Sequence, residues 1–353
     1  MSSEAMQKYH FETGVYRPPS EGGSYSLLVR FTRNCPWNRC TFCGMYKTEK
    51  FELRSPAEIK KDIDAMAAIC NDLKTAAQKL GYGAADMRGA AAALLNKVPE
   101  LNYHQGFVMV FNWLLSGGKT AFLQDANSLI MKTDQLVDVL KYLRKTFPSI
   151  SRVTSYARSK TLAQKKPAQL TAVRRAGLDR LHVGLETGDD DLLKKIKKGA
   201  TALGHISAGR KALQAGFELS EYWMPGLGGK EMSQKHAKNT ARVLNEINPH
   251  YIRSRPFFPL PGTPLYDAMG KNEFQMLSAE EQLLELQWMM EELEVTSKVC
   301  FDHAGNYWRN RHGDLLFTHS YEGYKFPEEK ATVLDLIAQG LEARNKRPEF
   351  LKL

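Results

Sequence analysis

Three cysteines fall within nine residues, Cys35-Pro-Trp-Asn-Arg-Cys40-Thr-Phe-Cys43, directly after an apolar, strand-like run. Three thiolates can hold three corners of a cubic iron–sulfur cluster and leave the fourth iron without a protein ligand. An open iron can bind a substrate or cofactor, which a fully ligated electron carrier cannot. Competing uses of the thiols fit less well. A zinc site needs a second Cys or His pair at comparable spacing, and none accompanies this loop. A disulfide would leave the third thiol without a role. The two other cysteines, Cys70 in a helical stretch and Cys300 far along the chain, offer no obvious fourth ligand. The odd total of five is no disulfide framework and suits a reducing compartment.

These thiols need elements to carry them. The 353 residues suffice for one large α/β domain with additions or for two smaller ones. Short β-rich runs at 25–31, 120–123, 152–156, 180–184, 218–224 and 251–258 alternate with amphipathic segments. Ser55-Pro56 predicts a long helix with proline at its first position. Thr133 is expected to cap a helix over 134–147, and Gly177 to close one over 167–176. Residues 189–199 read as one helix running from acidic to basic, which suits the helix dipole. Repeated strand–helix units imply a parallel sheet, and six units predict an open, partial (β/α)6 barrel. Residues 1–24 read as a loosely packed arm. Residues 25–266 form the core, and 79–117 read as a helical insertion placed to cap the open side of the barrel. Residues 267–353 read as a mainly helical C-terminal extension.

Composition narrows the setting. A hydrophobic content of 43% with 25% charged residues is ordinary for a soluble globular chain. The longest apolar stretch, 107–115, is too short to cross a bilayer, and the N-terminus lacks an apolar signal core. A cytoplasmic protein without a membrane partner is expected. The net charge of +10 is compatible with an acidic partner and equally with simple solubility.

The loop, continued by Met45-Tyr46-Lys47, resembles the cluster loop of radical S-adenosylmethionine (SAM) enzymes. Its first gap holds four residues where the family has three. The resemblance continues along successive strand ends over residues 25–266. Phe42 matches the aromatic placed beside the adenine. Gln124 and Asp125 follow the second strand where the family receives the SAM amine, although without its paired glycines. Ser155, Tyr156 and Arg158 end the third strand, with Arg158 suited to the SAM carboxylate or a substrate anion. Glu186 matches the position that meets the ribose hydroxyls, and Lys198 falls near a basic position contacting the SAM carboxylate. Tyr222 and Gly226 end the fifth strand, where relatives lay glycine-containing backbone against the adenine. His182, inside its strand, reads as a core histidine. Pro261-Gly262-Thr263-Pro264 resembles the core ending shared by oxygen-independent coproporphyrinogen oxidases and tRNA methylthiotransferases.

The resemblance implies a [4Fe-4S] cluster on Cys35, Cys40 and Cys43, S-adenosyl-L-methionine as cofactor, and a low-potential electron donor such as a flavodoxin or ferredoxin. It implies reductive cleavage of SAM to a 5′-deoxyadenosyl radical, and it names no catalytic residue and no substrate. A small organic substrate is the first reading. A modifier of RNA or peptide is the second, suggested by the basic surplus and by Trp308, Arg309 and Arg311 near Tyr307. A non-enzymatic iron–sulfur protein is the third.

Overall fold

The computed structural model describes residues 7–14, 25–81 and 87–343. The remaining parts of the expected arm and insertion lie outside them. The chain divides into two compact units. The first comprises Met1–Pro36, Lys50–Tyr156 and Thr171–Arg180; the second comprises Trp37–Glu49, Ala157–Leu170 and Leu181–Leu353.

In the first unit, β1 (Ser26–Arg30) pairs in parallel with β4 (Thr120–Gln124), and β4 with β5 (Arg152–Ala157). A short antiparallel pair, β2 (Thr32–Arg33) and β3 (Glu52–Leu53), leads into α1 (Pro56–Lys79). Ser55 and Glu58 form a reciprocal capping box at the start of α1, with Pro56 at a position where its missing N–H costs nothing. Ile59, Ile63, Met66 and Leu73 recur at helical spacing and are fully buried. The insertion forms α2 (Met87–Lys97), a 3-10 turn (Pro99–Tyr103) and α3 (Gln105–Leu115), and it packs on α1 and β1. Helix α4 (Thr133–Thr146) follows β4. Thr133 is its first residue, and Lys132 rather than Thr133 stands at the cap position.

The N-terminal segment is not loose where it is described. Tyr9 and Phe11 are buried, and Tyr9 stacks on Phe107 with ring centroids 6.3 Å apart. Glu12 accepts from Arg30 at 2.7 Å and from Arg33 at 2.6 Å. A strand-anchored cluster of arginines needs a carboxylate, and this segment supplies it.

In the second unit the strand order is β6 (Arg180–Glu186), β7 (Glu218–Trp223), β8 (Tyr251–Ser254), β9 (Lys298–Cys300) and β10 (Tyr324–Lys325). Strands β7, β8 and β9 are parallel, and β10 returns antiparallel. The α/β class with parallel strands is as expected. The C-terminal extension, mainly helical as expected, also adds β9 to the parallel set. The helices between are α5 (Ser159–Gln164), α6 (Pro167–Arg175, reaching into the first unit), α7 (Asp190–Lys195), α8 (Ala202–Gln214) and α9 (Gly229–Ile247), followed by α10 (Pro264–Gly270), α11 (Ala279–Glu292) and α12 (Lys330–Glu342). Helix α7 is shorter than the expected 189–199. Asp189 caps it, and Lys197 and Gly199 take positive φ, turning the chain away from the helix axis. Tyr307 and Trp308 are buried and stack on each other, so they present no surface for bases. Among the described residues, no helix is long and apolar enough to cross a membrane.

Helix α11 is tied to the end of β7 through Glu285, which is fully buried. It accepts from the Gly226 N–H and the Ser233 hydroxyl, each at 2.5 Å. Burial pushes the Glu285 carboxyl up to about 8, and burial holds the adjacent His236 down to about 4. Between about pH 6.5 and 8 the His236 imidazole is neutral in the folded chain and, above about pH 7, largely neutral in the unfolded chain, whereas the folded chain still keeps a proton on Glu285 that the unfolded chain has released. Stability therefore falls as pH rises from 6.5 to 8, by up to about 1.4 kcal/mol per pH unit for this group. Glu285→Gln should flatten that slope in denaturant titrations across the window; an unchanged slope would assign it elsewhere.

Candidate active site

The second unit gathers much of the expected chemistry around the end of β6. Glu186, its last residue, has φ +62°, an uncommon left-handed conformation for a non-glycine residue. Its carboxylate accepts from the Lys198 ammonium at 2.6 Å, and both side chains are largely buried. Gly184 makes this pair possible. A Cβ on Gly184 would lie 2.2 Å from Glu186 Oε1 and 3.0 Å from Lys198 Nζ. Burial alone would lower the Lys198 ammonium, but Glu186 and the Cys40 thiol hold it above the usual lysine range. Burial raises the Cys40 thiol; Lys198 and Arg158 pull against that rise.

The cysteine loop is fixed to this neighbourhood by main-chain and ring contacts. Trp37 Nε1 donates to the Lys197 carbonyl at 2.7 Å, and its ring covers Gly199 so closely that a Cβ there would sit 2.3 Å away. The Arg158 guanidinium lies 4.8 Å from the Trp37 ring centre, and its Nη2 donates to the Lys198 carbonyl at 2.7 Å. Thr41 N–H donates to Ile196, and Leu265 N–H donates to Thr41, both at 3.0 Å. Thr263 of the Pro-Gly-Thr-Pro segment caps α10 and touches the loop, its methyl 3.3 Å from a Cβ built on Gly44. Lys47 Nζ closes the loop on itself by donating to the Cys40 carbonyl at 2.9 Å. Phe42 packs against the apolar cluster of Leu192, Ile196, Leu227, Phe257, Leu265 and Phe274, and keeps part of its surface open.

Further along, the Tyr222 ring stacks on His182 at 5.2 Å and lies 4.7 Å from the Arg255 guanidinium. Gly226 has φ +84°, and a Cβ there would meet Gln282 at 2.7 Å. Glu221 in β7 is fully buried, and burial keeps its carboxyl well above the ordinary range, with Lys198 opposing.

The other expected positions belong to the first unit. Gln124 brackets Gly14, accepting its N–H at 2.9 Å and donating to its carbonyl at 3.1 Å. Asp125, expected to receive an ammonium, already accepts on Oδ2 from Arg30 at 2.7 Å and from the Asn34 N–H at 3.0 Å. Its Oδ1 is buried without a hydrogen-bond partner. The Ser155 hydroxyl donates to the Tyr156 carbonyl at 3.0 Å, and the Tyr156 ring meets Phe122 edge-on at 5.1 Å. Cys35 also falls in the first unit, whereas Cys40 and Cys43 fall in the second.

All three loop thiols are partly exposed and none forms a disulfide. Cys70 and Cys300 are buried, and burial pushes both thiols up to about 12, so they are poor ligands. Among the described residues, no three His, Cys, Asp or Glu side chains are gathered closely enough to hold a metal ion. The loop therefore offers the donor set a cluster needs, three soft and reachable thiols, without a preassembled cage. Trp37, which sequence reasoning passed over, lay inside the motif itself. Arg253 and Arg255 were missed too, although two arginines two residues apart in an apolar strand were a visible signal.

Gly184→Ala should lower stability by about 1–3 kcal/mol through overpacking against the Lys198–Glu186 pair. Gly270→Ala, whose added methyl meets nothing within 4 Å, serves as control. Equal denaturation midpoints for the two variants would show that the space at Gly184 is not needed.

No protein-family model matches the chain. The heme chaperone HemW of Bacillus subtilis (strain 168) is 22% identical over 177 residues, 50% of this chain and 46% of HemW. The tRNA uridine(34) acetyltransferase of Methanocaldococcus jannaschii is 23% identical over 116 residues, 33% of this chain and 21% of that protein. The chain thus spans less than half the length of these curated relatives. Among solved structures it is similar to the radical SAM methyltransferase TsrM from Kitasatospora setae, with 14% identity and a TM-score of 0.48 over 74% of this chain and 43% of that one. The chain is similar to these proteins over part of its length, and its three-cysteine loop with the ordered strand ends behind it resembles that of radical SAM enzymes.

Proposed function

We propose that this chain is a radical SAM enzyme that binds a [4Fe-4S] cluster through Cys35, Cys40 and Cys43 and cleaves S-adenosylmethionine reductively. The observation that carries the reading is the buried Lys198–Glu186 pair, close enough to Cys40 for its charges to act on the thiol, at the strand end where the family binds its cofactor. The cluster and SAM together supply the electron and the 5′-deoxyadenosyl radical; the protein supplies binding, orientation and exclusion of water.

Each residue then has a defined task. Lys198 presents a fixed positive charge to the SAM carboxylate, with Arg158 close behind it. Glu186 offers its second carboxylate oxygen to ribose hydroxyls, a charge-assisted contact. Phe42 lends an apolar face to the adenine, and Gly226 lets the β7 end approach it. Asp125, through its unpartnered Oδ1, remains the candidate for the SAM ammonium group, with Gln124, Ser155 and Tyr156 at neighbouring strand ends. Tyr222 is committed to the His182 and Arg255 stack, so its role is to hold the strand end in place. A low-potential flavodoxin or ferredoxin is the proposed electron source, and a small organic molecule the proposed substrate. The burial of Tyr307 and Trp308 weighs against stacking of bases on these rings and supports the small-molecule reading.

Anaerobic reconstitution should give a four-iron protein that forms 5′-deoxyadenosine on reduction with SAM, and Cys40→Ala should lose both iron and turnover. Full iron content in that variant would refute the ligand assignment. Glu186→Ala should keep the cluster and weaken SAM binding about tenfold or more, as loss of a hydrogen bond to a charged group implies. Loss of iron instead would make Glu186 a structural residue.

A further inference from the structure

The described N-terminal segment of the first unit lies over the carboxylate that follows β4. Gly14 N–H donates to Gln124 Oε1 at 2.9 Å, and the Gly14 carbonyl accepts from Gln124 Nε2 at 3.1 Å. A Cβ built on Gly14 would lie 2.1 Å from Asp125 Oδ1 and 3.1 Å from its Cγ. Gly14 therefore rests directly on Oδ1, and only a residue without a side chain can come so near. The Asp125 side chain is wholly removed from solvent.

This cover leaves Asp125 half satisfied. Oδ2 takes Arg30 Nε at 2.9 Å, Arg30 Nη2 at 2.7 Å and the Asn34 N–H at 3.0 Å. Oδ1 is also buried and takes none. A buried carboxylate oxygen without a donor is costly, and native structures nearly always supply a partner. The Cα hydrogens of Gly14 offer only a weak contact. The C-terminal end of a parallel strand is where such sheets receive ligands. An ammonium group suits this oxygen, since it brings donors only and a charge opposite to the carboxylate's.

The way the segment is held divides it into an anchored part and a lightly held end. Tyr9 and Phe11 are buried, and the Tyr9 hydroxyl donates to Asp72 at 2.5 Å. Phe11 packs so close to Gly106 that a Cβ there would meet its ring at 2.7 Å. Glu12 is tied to Arg30 and Arg33, and its N–H donates to Asp62 at 3.2 Å. Two residues later the attachment thins, because both hydrogen bonds of Gly14 go to one side-chain amide. Lifting Gly14 breaks those two bonds and moves its Cα off Oδ1. The anchors at Tyr9, Phe11 and Glu12 stay in place.

We propose that Gly14 is a removable cover on Asp125, and that a ligand ammonium group competes with it for Oδ1. Identifying this ammonium with the amino group of SAM rests on the function proposed above. The segment then sets affinity. Only molecules with Gly14 lifted are competent to bind, so the apparent Kd is the intrinsic value divided by the lifted fraction. A permanent structural cover makes the opposite demand, since disturbing it harms the site.

The test titrates anaerobically reconstituted protein, wild type and Gly14→Ala, by calorimetry with SAM and with L-methionine, which carries the same ammonium group. The added methyl overpacks the covered state, so Gly14→Ala should bind both ligands about tenfold more tightly. Equal or weaker binding by the variant, or no saturable binding of either ligand to either protein, would overturn the inference. Hydrogen–deuterium exchange of the wild type gives a reading that needs no variant. Saturating ligand should speed exchange in peptides spanning Gly14; unchanged or slower exchange there also overturns the inference. SAM binding and cleavage without either effect sinks this inference alone. Both effects with L-methionine, in a protein that neither binds nor cleaves SAM, sink the function proposed above alone.

Discussion

The buried Lys198–Glu186 ion pair is the constraint around which the second unit is arranged. A charged pair removed from water is stable only when both partners are held and their remaining valences met. Here the local sequence is built to that end. Gly184 leaves the space, Glu186 accepts a left-handed backbone, and the turn through Lys197 and Gly199 brings Lys198 back over the strand end. Trp37 covers the turn and takes its carbonyl, so the cysteine loop is anchored by the same residues that position the pair. Thr41 and Thr263 complete the attachment by joining the loop to the end of α7 and the start of α10. Segments far apart in sequence thereby become one support for Cys40 and Cys43.

A second buried charge system, Arg253–Asp302–Arg255, lies at the ends of β8 and β9. The aromatic stack of His182 and Tyr222 lies between the two systems and fixes their spacing. Rigid walls suit the radical chemistry proposed for this chain, because a reactive radical attacks whatever lies nearest. Buried aromatic rings on strands are suited to that demand.

Much of this was legible in the sequence, for identifiable reasons. The cysteine triad is dense and the strands are strongly patterned, so the thiols and the parallel α/β class were readable. Glu186 and Lys198 were picked out separately, each by resemblance to a family position, but their mutual contact depends on a left-handed turn that propensity does not register. Residues 189–199 read as a continuous helix because their charges suit a helix dipole; the positive φ at Lys197 and Gly199 overrides it. The N-terminal segment read as a loose arm because Pro18, Pro19, Gly22 and Gly23 dominate its composition, although Tyr9, Phe11 and Glu12 upstream pack into the first unit. Strand β9 was missed for its brevity, three residues bounded by polar loops. Tyr307 and Trp308 looked like a basic, aromatic surface, because sequence cannot say which aromatic rings face inward.

The central claim is that three thiolates leave one iron open and that SAM occupies it. Electron paramagnetic resonance of the reduced, reconstituted protein with and without SAM tests this directly. The account predicts a cluster signal whose g-values shift when SAM is added, and a smaller shifted fraction in Glu186→Ala at a SAM concentration that only just saturates the wild type. A cluster signal that SAM leaves untouched in the wild-type protein would contradict it.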